Sequence, residues 1–259
     1  MTKKKIICYP FVGDKIGGSH ISTILLAKKI KGKLLKPIVV LHKEGVLTKY
    51  LRSKRVKYYK LKNGTFLGEK KILNTNFFKF IKTLIEIVIF IKKNKIDLVH
   101  TNDTRIHLMW TLASKICYIK TVWHQRSNFP NWPLYKTINK VSNKVISISN
   151  YVFSSIPQNI QKKTVVIYNP FSFKYEEKSK KKIVKNKILS ELKIPHNSKI
   201  VTYVSNLEER KKPIKFLHFA ENLKRIYKKK IIFIVIGEKR DKKLYLKFKN
   251  IVKDKDYIF

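Results

Sequence analysis

Residues 6–30, IICYPFVGDKIGGSHISTILLAKKI, contain the clearest secondary-structure pattern of this chain. Its first four residues form an apolar run that ends at Pro10, which predicts a short buried strand. Apolar residues recur at helical spacing from Ile21 onward, and we expect Ser19 to be the N-cap of this helix. A strand, a loop and an amphipathic helix in direct succession predict the first βα unit of an α/β domain.

Gly17 and Gly18 lie in the loop between this strand and this helix. Glycines here let the backbone approach a ligand closely, and the first amides of a helix favour an anion. The pair therefore indicates a phosphate-binding loop. A plain tight turn is the alternative, because the pattern lacks the full GxGxxG of dinucleotide-binding loops.

Strands and helices continue to alternate along the chain after this unit. We expect strands at 37–41, 56–61, 97–100, 120–124, 145–148 and 164–168, and helices at 44–52, 77–94, 105–117, 131–142 and 151–156. Strands separated by helices of this length predict a parallel sheet covered on both faces, with ligands bound at the carboxyl ends of the strands.

The composition changes after Asn169. Residues 170–187 are polar and rich in lysine, which is typical of a linker. A second alternation follows, with helices at 187–192, 213–227 and 244–252 and strands at 200–204, 231–236 and 257–259. We predict an N-terminal Rossmann-like domain at 1–169, a linker and short helix at 170–195, and a partial second Rossmann-like domain at 196–259. The second domain is expected to be incomplete, because its pattern stops one strand into a new unit.

Composition excludes a disordered chain, because 44% of the 259 residues are hydrophobic and can bury a core. The formal net charge of +43 attracts nucleic acid, anionic lipid and phosphorylated metabolites alike. The lysines are spread along the whole length, which is typical of a general compositional bias and not of one basic patch.

The two cysteines, Cys8 and Cys117, lie far apart in apolar segments, which argues against a disulfide framework or a thiolate metal site. The N-terminal apolar run is too short for a signal peptide, and no stretch has the length of a spanning helix. We therefore expect a cytoplasmic protein. Residues 77–95 are an amphipathic stretch with several lysines, so they predict either a core-facing helix or a helix in contact with an anionic membrane.

Several motifs resemble, in this order, those of glycosyltransferase family 4, whose members have the GT-B fold. In the first half they are IGGSHISTILLAKKI, IDLVHTNDTRIHLMWTLASKI, TVWHQR, VISISNYVFSSI and VVIYNPF. In the second half they are KILSELKIPHNSKIVTYVSNLEERKKPIKFLHFAENL and IIFIVIGE. The motifs extend over nearly the whole chain.

The resemblance implies a GT-B-like α/β fold and a metal-independent, cofactor-free transferase that retains anomeric configuration. Its donor would be a nucleotide sugar and its acceptor a glycan or a lipid-linked molecule, reached in the cytoplasm or at the inner face of the membrane. The first domain would face the acceptor and the second would bind the donor. The acidic ExxxxxxxE motif of the family is not present in these residues.

A departing nucleoside diphosphate accumulates negative charge, so transfer needs fixed positive charge near the phosphates. Lys211, a candidate catalytic and donor-binding residue, and Arg210, a candidate donor-binding residue, lie in a loop before the helix at 213–227. A solvated cationic turn is the alternative. Asn206, also a candidate donor-binding residue, stands where family members usually carry Arg.

His124 ends a predicted strand, and the resemblance implies that this candidate catalytic residue contacts the transferred sugar or the reaction centre. Gly237 and Glu238 end the strand that lies near the nucleoside in the family, so with Gly17 and Gly18 they complete the predicted donor site. A structural histidine and a solvated glutamate are the alternatives. The histidines are scattered without paired spacing, and no metal site is predicted.

Two other functions compete with glycosyl transfer. The charge of +43 would suit a nucleic-acid-binding protein, although no nucleic-acid module is recognisable and no specific nucleic-acid partner is expected. An inactive remnant that binds a donor without turnover is the other alternative.

Overall fold

A computed structural model describes residues 4–32, 34–63, 77–131, 133–170, 178–227, 230–252 and 257–258. The chain divides into two compact units, Met1–Ser172 and Phe173–Phe259, which are called unit 1 and unit 2 below. Both are built from parallel strands that alternate with helices, so the α/β class predicted from the sequence is confirmed.

Unit 1 contains a seven-stranded sheet in which every neighbouring pair is parallel. The strands are β1 Lys5–Phe11, β2 Leu35–Leu41, β3 Tyr58–Lys60, β4 Leu98–Thr101, β5 Lys120–Gln125, β6 Lys144–Ser147 and β7 Thr164–Val166. Their spatial order is β3-β2-β1-β4-β5-β6-β7, so the order reverses at β1 and β4. Ligands of open parallel sheets bind at the carboxyl edge beside such a reversal.

Helices cover both faces of this sheet. They are α1 Gly18–Ile30, α2 Val46–Ser53, α3 Phe77–Lys93, α4 Thr104–Ile116, α5 Pro133–Lys140, α6 Asn150–Ser154 and α7 Gln158–Gln161. Tyr9 and Phe11 of β1 pack with Ile24 of α1 on one face. Cys8 of the same strand packs with Ile87 of α3 on the other face, as the alternation of side chains along a strand requires.

The structure corrects two sequence expectations in the first βα unit. β1 continues through Pro10 to Phe11. Proline has no N–H to donate, but on the side of β1 that faces β4 only Ile7 and Cys8 are paired, so no bond between the strands is lost at Pro10. Helix α1 has Gly17 and not Ser19 as its N-cap. The carbonyl of Ser19 already lies inside the helix, where it accepts the hydroxyl hydrogen of Thr23 at 2.7 Å.

Unit 2 contains a three-stranded parallel sheet in the order β10-β9-β8. Its elements are α8 Lys178–Glu191, β8 Lys199–Val204, a short 3-10 helix Glu209–Lys211, α9 Pro213–Ile226, β9 Ile231–Ile236, α10 Lys242–Ile251 and β10 Tyr257–Ile258. The core on one face of this sheet contains Leu217 of α9, Phe233 of β9 and Phe248 of α10.

Helix α8 begins well before the short helix expected at residue 187, inside the stretch that suited a linker. Within this helix Leu189 is buried whereas Lys181 to Ile188 are all exposed, so no apolar stripe marked the helix in the sequence. The part of the predicted linker at 171–177 lies outside the described residues.

No helix in the described ranges is long and apolar enough to cross a membrane.

Candidate functional site

Polar side chains gather at the carboxyl edge of the unit 1 sheet, beside the reversal of strand order. β4 ends at Thr101 and is followed by Asn102, whereas β5 ends at Gln125 and is followed by Arg126. The two strands are adjacent and parallel, so these chain ends emerge side by side. Helix α1 begins at the same edge, because it follows β1, the neighbour of β4 on its other side.

The N-terminus of α1 is open. Gly17 caps it without a side-chain hydrogen bond, and a Cβ added to Gly18 would meet nothing within 4 Å. No steric contact with the described protein therefore requires glycine at position 18. The absence of a side chain leaves the first amides of the helix accessible to an anion.

His20, in the first turn of α1, is a site residue that the sequence analysis missed. Its side chain is only 7% exposed and packs against Phe11, with the ring centroids 5.2 Å apart. Its Nε2 atom is buried and has no hydrogen-bond partner among the described residues. Burial lowers the pKa of His20 below its ordinary value, so the ring is neutral near pH 7.

His124 lies in a row of rings that crosses three neighbouring strands. The centroids of Tyr9 and His100 are 5.2 Å apart, and those of His100 and His124 are 5.5 Å apart. His100 Nε2 and His124 Nδ1 lie 3.4 Å from each other, so one nitrogen donates and the other accepts. The Nε2 atom of His124 is buried and has no partner among the described residues.

Both histidines of this row are neutral. Burial lowers the pKa of His124 to about 2, with a further contribution from the positive charge of Arg126. Burial also lowers the pKa of His100 to about 4, and Arg126 acts in the same direction. A neutral His124 can use its Nε2 atom either as a donor or as an acceptor, depending on which ring nitrogen carries the proton.

Arg126 connects three parts of the chain at this edge: helix α1, the residue after β4 and the segment after β7. Its guanidinium donates through Nη2 to Thr23 Oγ1 of α1 at 3.2 Å and to Asn102 Oδ1 at 2.8 Å. It donates through Nη1 to Asn169 Oδ1, which follows β7. The sequence alone gives Arg126 no role, because none of its three partners lies near it in the sequence.

Arg105, the first-turn residue of α4 at the same edge, has very different partners. It forms two hydrogen bonds with the Asp14 carboxylate, at 2.7 and 3.0 Å, and a third with Asp103 Oδ2 at 2.9 Å. Its positive charge is therefore neutralised by two carboxylates. This cluster links the loop after β1 to the start of α4.

Two other histidines of unit 1 have structural roles. His42 Nε2 accepts from Trp110 Nε1 at 2.9 Å, so Nδ1 carries the proton and donates to the Asn63 carbonyl at 3.2 Å. His107 lies 2.6 Å from the hydroxyl of Thr101. Burial holds the pKa of both rings below the ordinary range.

The residues predicted to bind the donor in the second half lie together at the carboxyl ends of β8 and β9. Asn206 Oδ1 accepts from the backbone N–H of Glu238 at 3.1 Å, and the Glu238 carboxylate accepts from Arg240 Nε at 2.8 Å. A Cβ on Gly237 would lie only 2.0 Å from the Ser205 carbonyl oxygen, so glycine is needed for this close approach. The Asn206 amide and the Glu238 carboxylate are thus both engaged within the protein.

Arg210 and Lys211 lie in the exposed 3-10 helix before α9. Arg210 forms an ion pair with Glu208 at 3.4 Å, which leaves less of its charge for a ligand. Lys211 is exposed, and no ion pair to its amine is seen within the described residues. The N-terminus of α9 follows directly, with Lys212 as N-cap and Pro213 in the first turn.

In the described part of the chain, no group of three or more His, Cys, Asp or Glu residues is arranged to hold a metal ion. Gly17, Gly18 and His124 thus lie at the carboxyl edge of unit 1, whereas Lys211 and the other candidates from the second half lie at the corresponding edge of unit 2.

No family model matches this chain, and a search of curated proteins returns no match. Solved structures do match it. A glycosyltransferase from Rickettsia africae ESF-5 is 22% identical with a TM-score of 0.72, and the match covers 97% of this chain and 65% of that one. HepE from Anabaena, solved in complex with UDP and glucose, is 17% identical with a TM-score of 0.68, covering 98% and 68%.

The same fold also occurs in enzymes of another kind. A structure described as a putative UDP-N-acetylglucosamine 2-epimerase from Listeria monocytogenes is 11% identical with a TM-score of 0.63, covering 99% of this chain and 68% of that one. At these identities the matches establish the fold. This chain therefore has a GT-B-like α/β fold, as predicted, and spans about two thirds of the length of the structures it matches.

Proposed function

We propose that this protein is a glycosyltransferase that moves a sugar from a UDP-sugar to a glycan or a lipid-linked acceptor. The observation that carries the proposal is the open, glycine-led N-terminus of α1 at the same sheet edge as the unpartnered Nε2 of His124. The fold supports it, because HepE, which shares the fold, was solved with UDP and with UDP-glucose. The sequence motifs favour glycosyltransferase family 4.

The donor diphosphate would lie against the first amides of α1. Gly17 offers no side chain to occupy the helix N-terminus, and the space around Gly18 is open. Backbone N–H groups and the positive end of the helix dipole then stabilise the phosphates without a bound cation.

Fixed positive charge would stabilise the leaving nucleoside diphosphate. Lys211 is the stronger candidate, since Arg210 is already paired with Glu208. Asn206 and Gly237 would act indirectly, by holding the ends of β8 and β9 together. Glu238 would accept from the nucleoside only in competition with its bond to Arg240. We propose that transfer needs no metal ion, because these cationic groups and helix termini supply the positive charge.

His124 would hydrogen-bond to the transferred sugar through Nε2. Its low pKa keeps it neutral, so it orients a sugar hydroxyl and does not act as a proton donor from an imidazolium at neutral pH. Retention of anomeric configuration follows from the family resemblance and is part of the proposal.

The first experiment measures UDP release from a panel of UDP-sugars, with and without glycan or lipid-linked acceptors and with EDTA present. We expect turnover with at least one donor, a product whose NMR spectrum shows the anomeric configuration of the donor, and no loss in EDTA. His124→Ala and Lys211→Ala should each lower kcat/KM at least about tenfold, equivalent to ~1.4 kcal/mol of transition-state binding. The matched controls, His218→Ala and Lys249→Ala, change exposed residues and should keep the wild-type rate.

Other outcomes would contradict this proposal. Conversion of UDP-N-acetylglucosamine to an epimer without transfer would place the protein with the epimerases that share its fold. Failure to bind UDP or any UDP-sugar at millimolar concentration would reject a UDP-sugar donor.

We further propose that α3 contacts an anionic membrane surface. Ile87 and Ile91 of this helix are buried in the core, whereas Ile85 and Ile89 on its outer side are 52% and 57% exposed. Exposed lysines, Lys82, Lys92 and Lys93, flank these two residues. An apolar strip bordered by lysines has the composition of a helix that lies in the interface of an anionic bilayer.

Sedimentation with phosphatidylglycerol-containing vesicles tests this contact. Because the net charge of +43 favours any anionic surface, the decisive variant is Ile85→Ser with Ile89→Ser, which leaves the charge unchanged. We expect it to bind vesicles more weakly than the wild type, and the control Ile226→Ser, an exposed residue of unit 2, to bind normally. Equal binding of all three proteins would remove the contact from the proposal.

A further inference from the structure

Two arginines lie at the carboxyl edge of the unit 1 sheet, and only one of them has a counter-ion. Arg105 is held by the carboxylates of Asp14 and Asp103. All three partners of Arg126 are neutral oxygens, those of Thr23, Asn102 and Asn169. Across the described ranges, Arg126 forms no ion pair.

The oxygens around Arg126 are oriented by bonds of their own. The Thr23 hydroxyl donates to the Ser19 carbonyl at 2.7 Å, so a lone pair of its oxygen faces Arg126. The Asn102 side-chain NH₂ donates to the His100 carbonyl at 3.2 Å, which fixes the amide with its oxygen toward Arg126. The guanidinium is thus held in one orientation before any ligand arrives.

Burial of this cation without a neighbouring anion destabilises the folded state. Arg126 is half-buried, and its Nε atom is buried without a partner among the described residues. Removal of a charge from water is unfavourable unless an opposite charge compensates for it. Burial lowers the pKa of Arg126 to about 10, so the group still carries its charge at neutral pH.

Two further polar atoms near Arg126 also lack partners. His20 and His124 are 7% and 8% exposed, and the Nε2 atom of each is buried and unbonded in the described structure. The charge of Arg126 acts on both rings. A guanidinium without a counter-ion, beside two imidazole nitrogens that donate when they carry the ring proton, suits an anion site and not a structural ion pair.

We propose that Arg126 binds a carboxylate or phosphate group of a substrate at the carboxyl edge of unit 1, with His20 and His124 as flanking hydrogen-bonding groups. The inference rests on the proposed function only in taking the ligand to be a substrate. The anion is either the diphosphate of the donor or an acidic group on the acceptor or the transferred sugar.

The test uses the full chain and follows thermal unfolding by tryptophan fluorescence, which reports on unit 1 because Trp110, Trp123 and Trp132 all lie there. Phosphate, pyrophosphate and glucuronate are compared with chloride and glucose at constant ionic strength, since the net charge of +43 attracts any anion. We expect at least one of the three anions to raise the unfolding temperature above its value in chloride. Equal unfolding temperatures in all of these solutions would overturn the proposal without the need for a variant.

Variants locate the site. Arg126→Gln should abolish the stabilisation by the anion, whereas Arg55→Gln, the same charge change at an exposed position of unit 1, should leave it intact. If both variants lost the same amount of stabilisation by the anion, the proposal would be overturned, because the anion would then be attracted by the general positive charge of the protein. Arg126→Lys keeps the positive charge but loses the planar guanidinium with its paired N–H donors, and we expect at least tenfold weaker binding of the anion. If Arg126→Gln does not fold, this variant tests whether the anion binds at residue 126.

A final arm identifies the source of the anion and separates this inference from the proposed function. If saturating UDP abolishes the effect of phosphate, Arg126 binds the donor diphosphate. If phosphate or glucuronate still stabilises the UDP complex, Arg126 binds an acidic group elsewhere on the substrates. Binding of these anions through Arg126 without any binding of UDP would support the anion site and reject the proposed function. Normal turnover by Arg126→Gln, together with no effect of anions on the wild type, would support the proposed function and reject the anion site.

Discussion

Gly18 and Gly237 are glycines for opposite reasons. A Cβ on Gly18 would enter open space at the N-terminus of α1, so the fold itself tolerates a side chain there. A Cβ on Gly237 would collide with the Ser205 carbonyl oxygen at 2.0 Å, where the ends of β8 and β9 are joined by backbone bonds. Backbone packing requires the second glycine, whereas the first is explained by a ligand only under the proposed function.

Gly18→Ala should therefore preserve stability and lose donor binding. Alanine is favoured over glycine in a helix by about 0.5–1 kcal/mol, so the unfolding temperature should stay equal or rise slightly. We expect UDP affinity, measured by calorimetry, to fall at least about tenfold because the Cβ hinders the approach of the phosphates. Unchanged affinity would show that the phosphates do not approach this turn.

Gly237→Ala should have the reverse effect on stability. The Ser205 and Gly237 backbones would have to move apart, at a cost of roughly 1–3 kcal/mol for overpacking. Hydrogen–deuterium exchange should become faster in peptides from β8 and β9 and stay unchanged in the strands of unit 1. Exchange as slow as in the wild type would mean that the two strand ends can separate without cost.

At the scale of elements, the end of helix α5 depends on a lysine from another part of the chain. The Lys163 amine donates to the carbonyls of Asn139 and Lys140 at 2.7 and 2.8 Å, and also to the carbonyl of Ser142. These carbonyls lie at or just beyond the helix C-terminus, where backbone acceptors lack helical partners. A cation placed there also interacts favourably with the helix dipole.

Lys163→Met should destabilise unit 1 by about 1–3 kcal/mol, because the methionine keeps the length of the side chain but cannot donate to these carbonyls. We expect a lower unfolding temperature by tryptophan fluorescence. Lys162→Met is the matched control, since Lys162 is exposed and adjacent. If the two variants unfolded at the same temperature, the amine of Lys163 would not be holding the helix end.

At the scale of the whole molecule, unit 1 buries several neutral histidines. Burial lowers the pKa of His42 and of His100 to about 4 and that of His124 to about 2. In the unfolded chain each would titrate near pH 6.5. The unfolded state therefore binds more protons than the folded state below that pH, and acid favours unfolding.

Stability of unit 1 should be fully present above about pH 6.5 and should fall progressively as the pH is lowered toward 4. The loss for His42 alone approaches roughly 3 kcal/mol, at about 1.4 kcal/mol for each pH unit of the shift. We expect the unfolding temperature from tryptophan fluorescence to drop steeply between pH 7 and pH 5. His42→Gln should reduce this slope, whereas His218→Gln, at an exposed position of unit 2, should not. A pH-independent unfolding temperature would mean that these rings have the same pKa in the folded protein as in the unfolded chain.

The alternation of strands and helices follows directly from the pattern of the chain. Every described strand lies within about two residues of its predicted bounds, because a short run of apolar residues between turn residues marks a strand in the sequence. The highly exposed α8 and the four-residue α7 were predicted late or not at all. Neither has an apolar stripe long enough to be recognised in a sequence.

The α/β class, the parallel sheets and the edge at which polar residues collect were predictable from the sequence, because they depend on local periodicity. Which of those polar residues have partners within the protein depends on contacts between distant parts of the chain. Arg105 and Asp14 are separated by 91 positions and Arg126 and Thr23 by 103, yet each pair is in contact. The state of each charge is set by such partners, so the difference between the paired Arg105 and the unpaired Arg126 emerges only when the sheet is assembled.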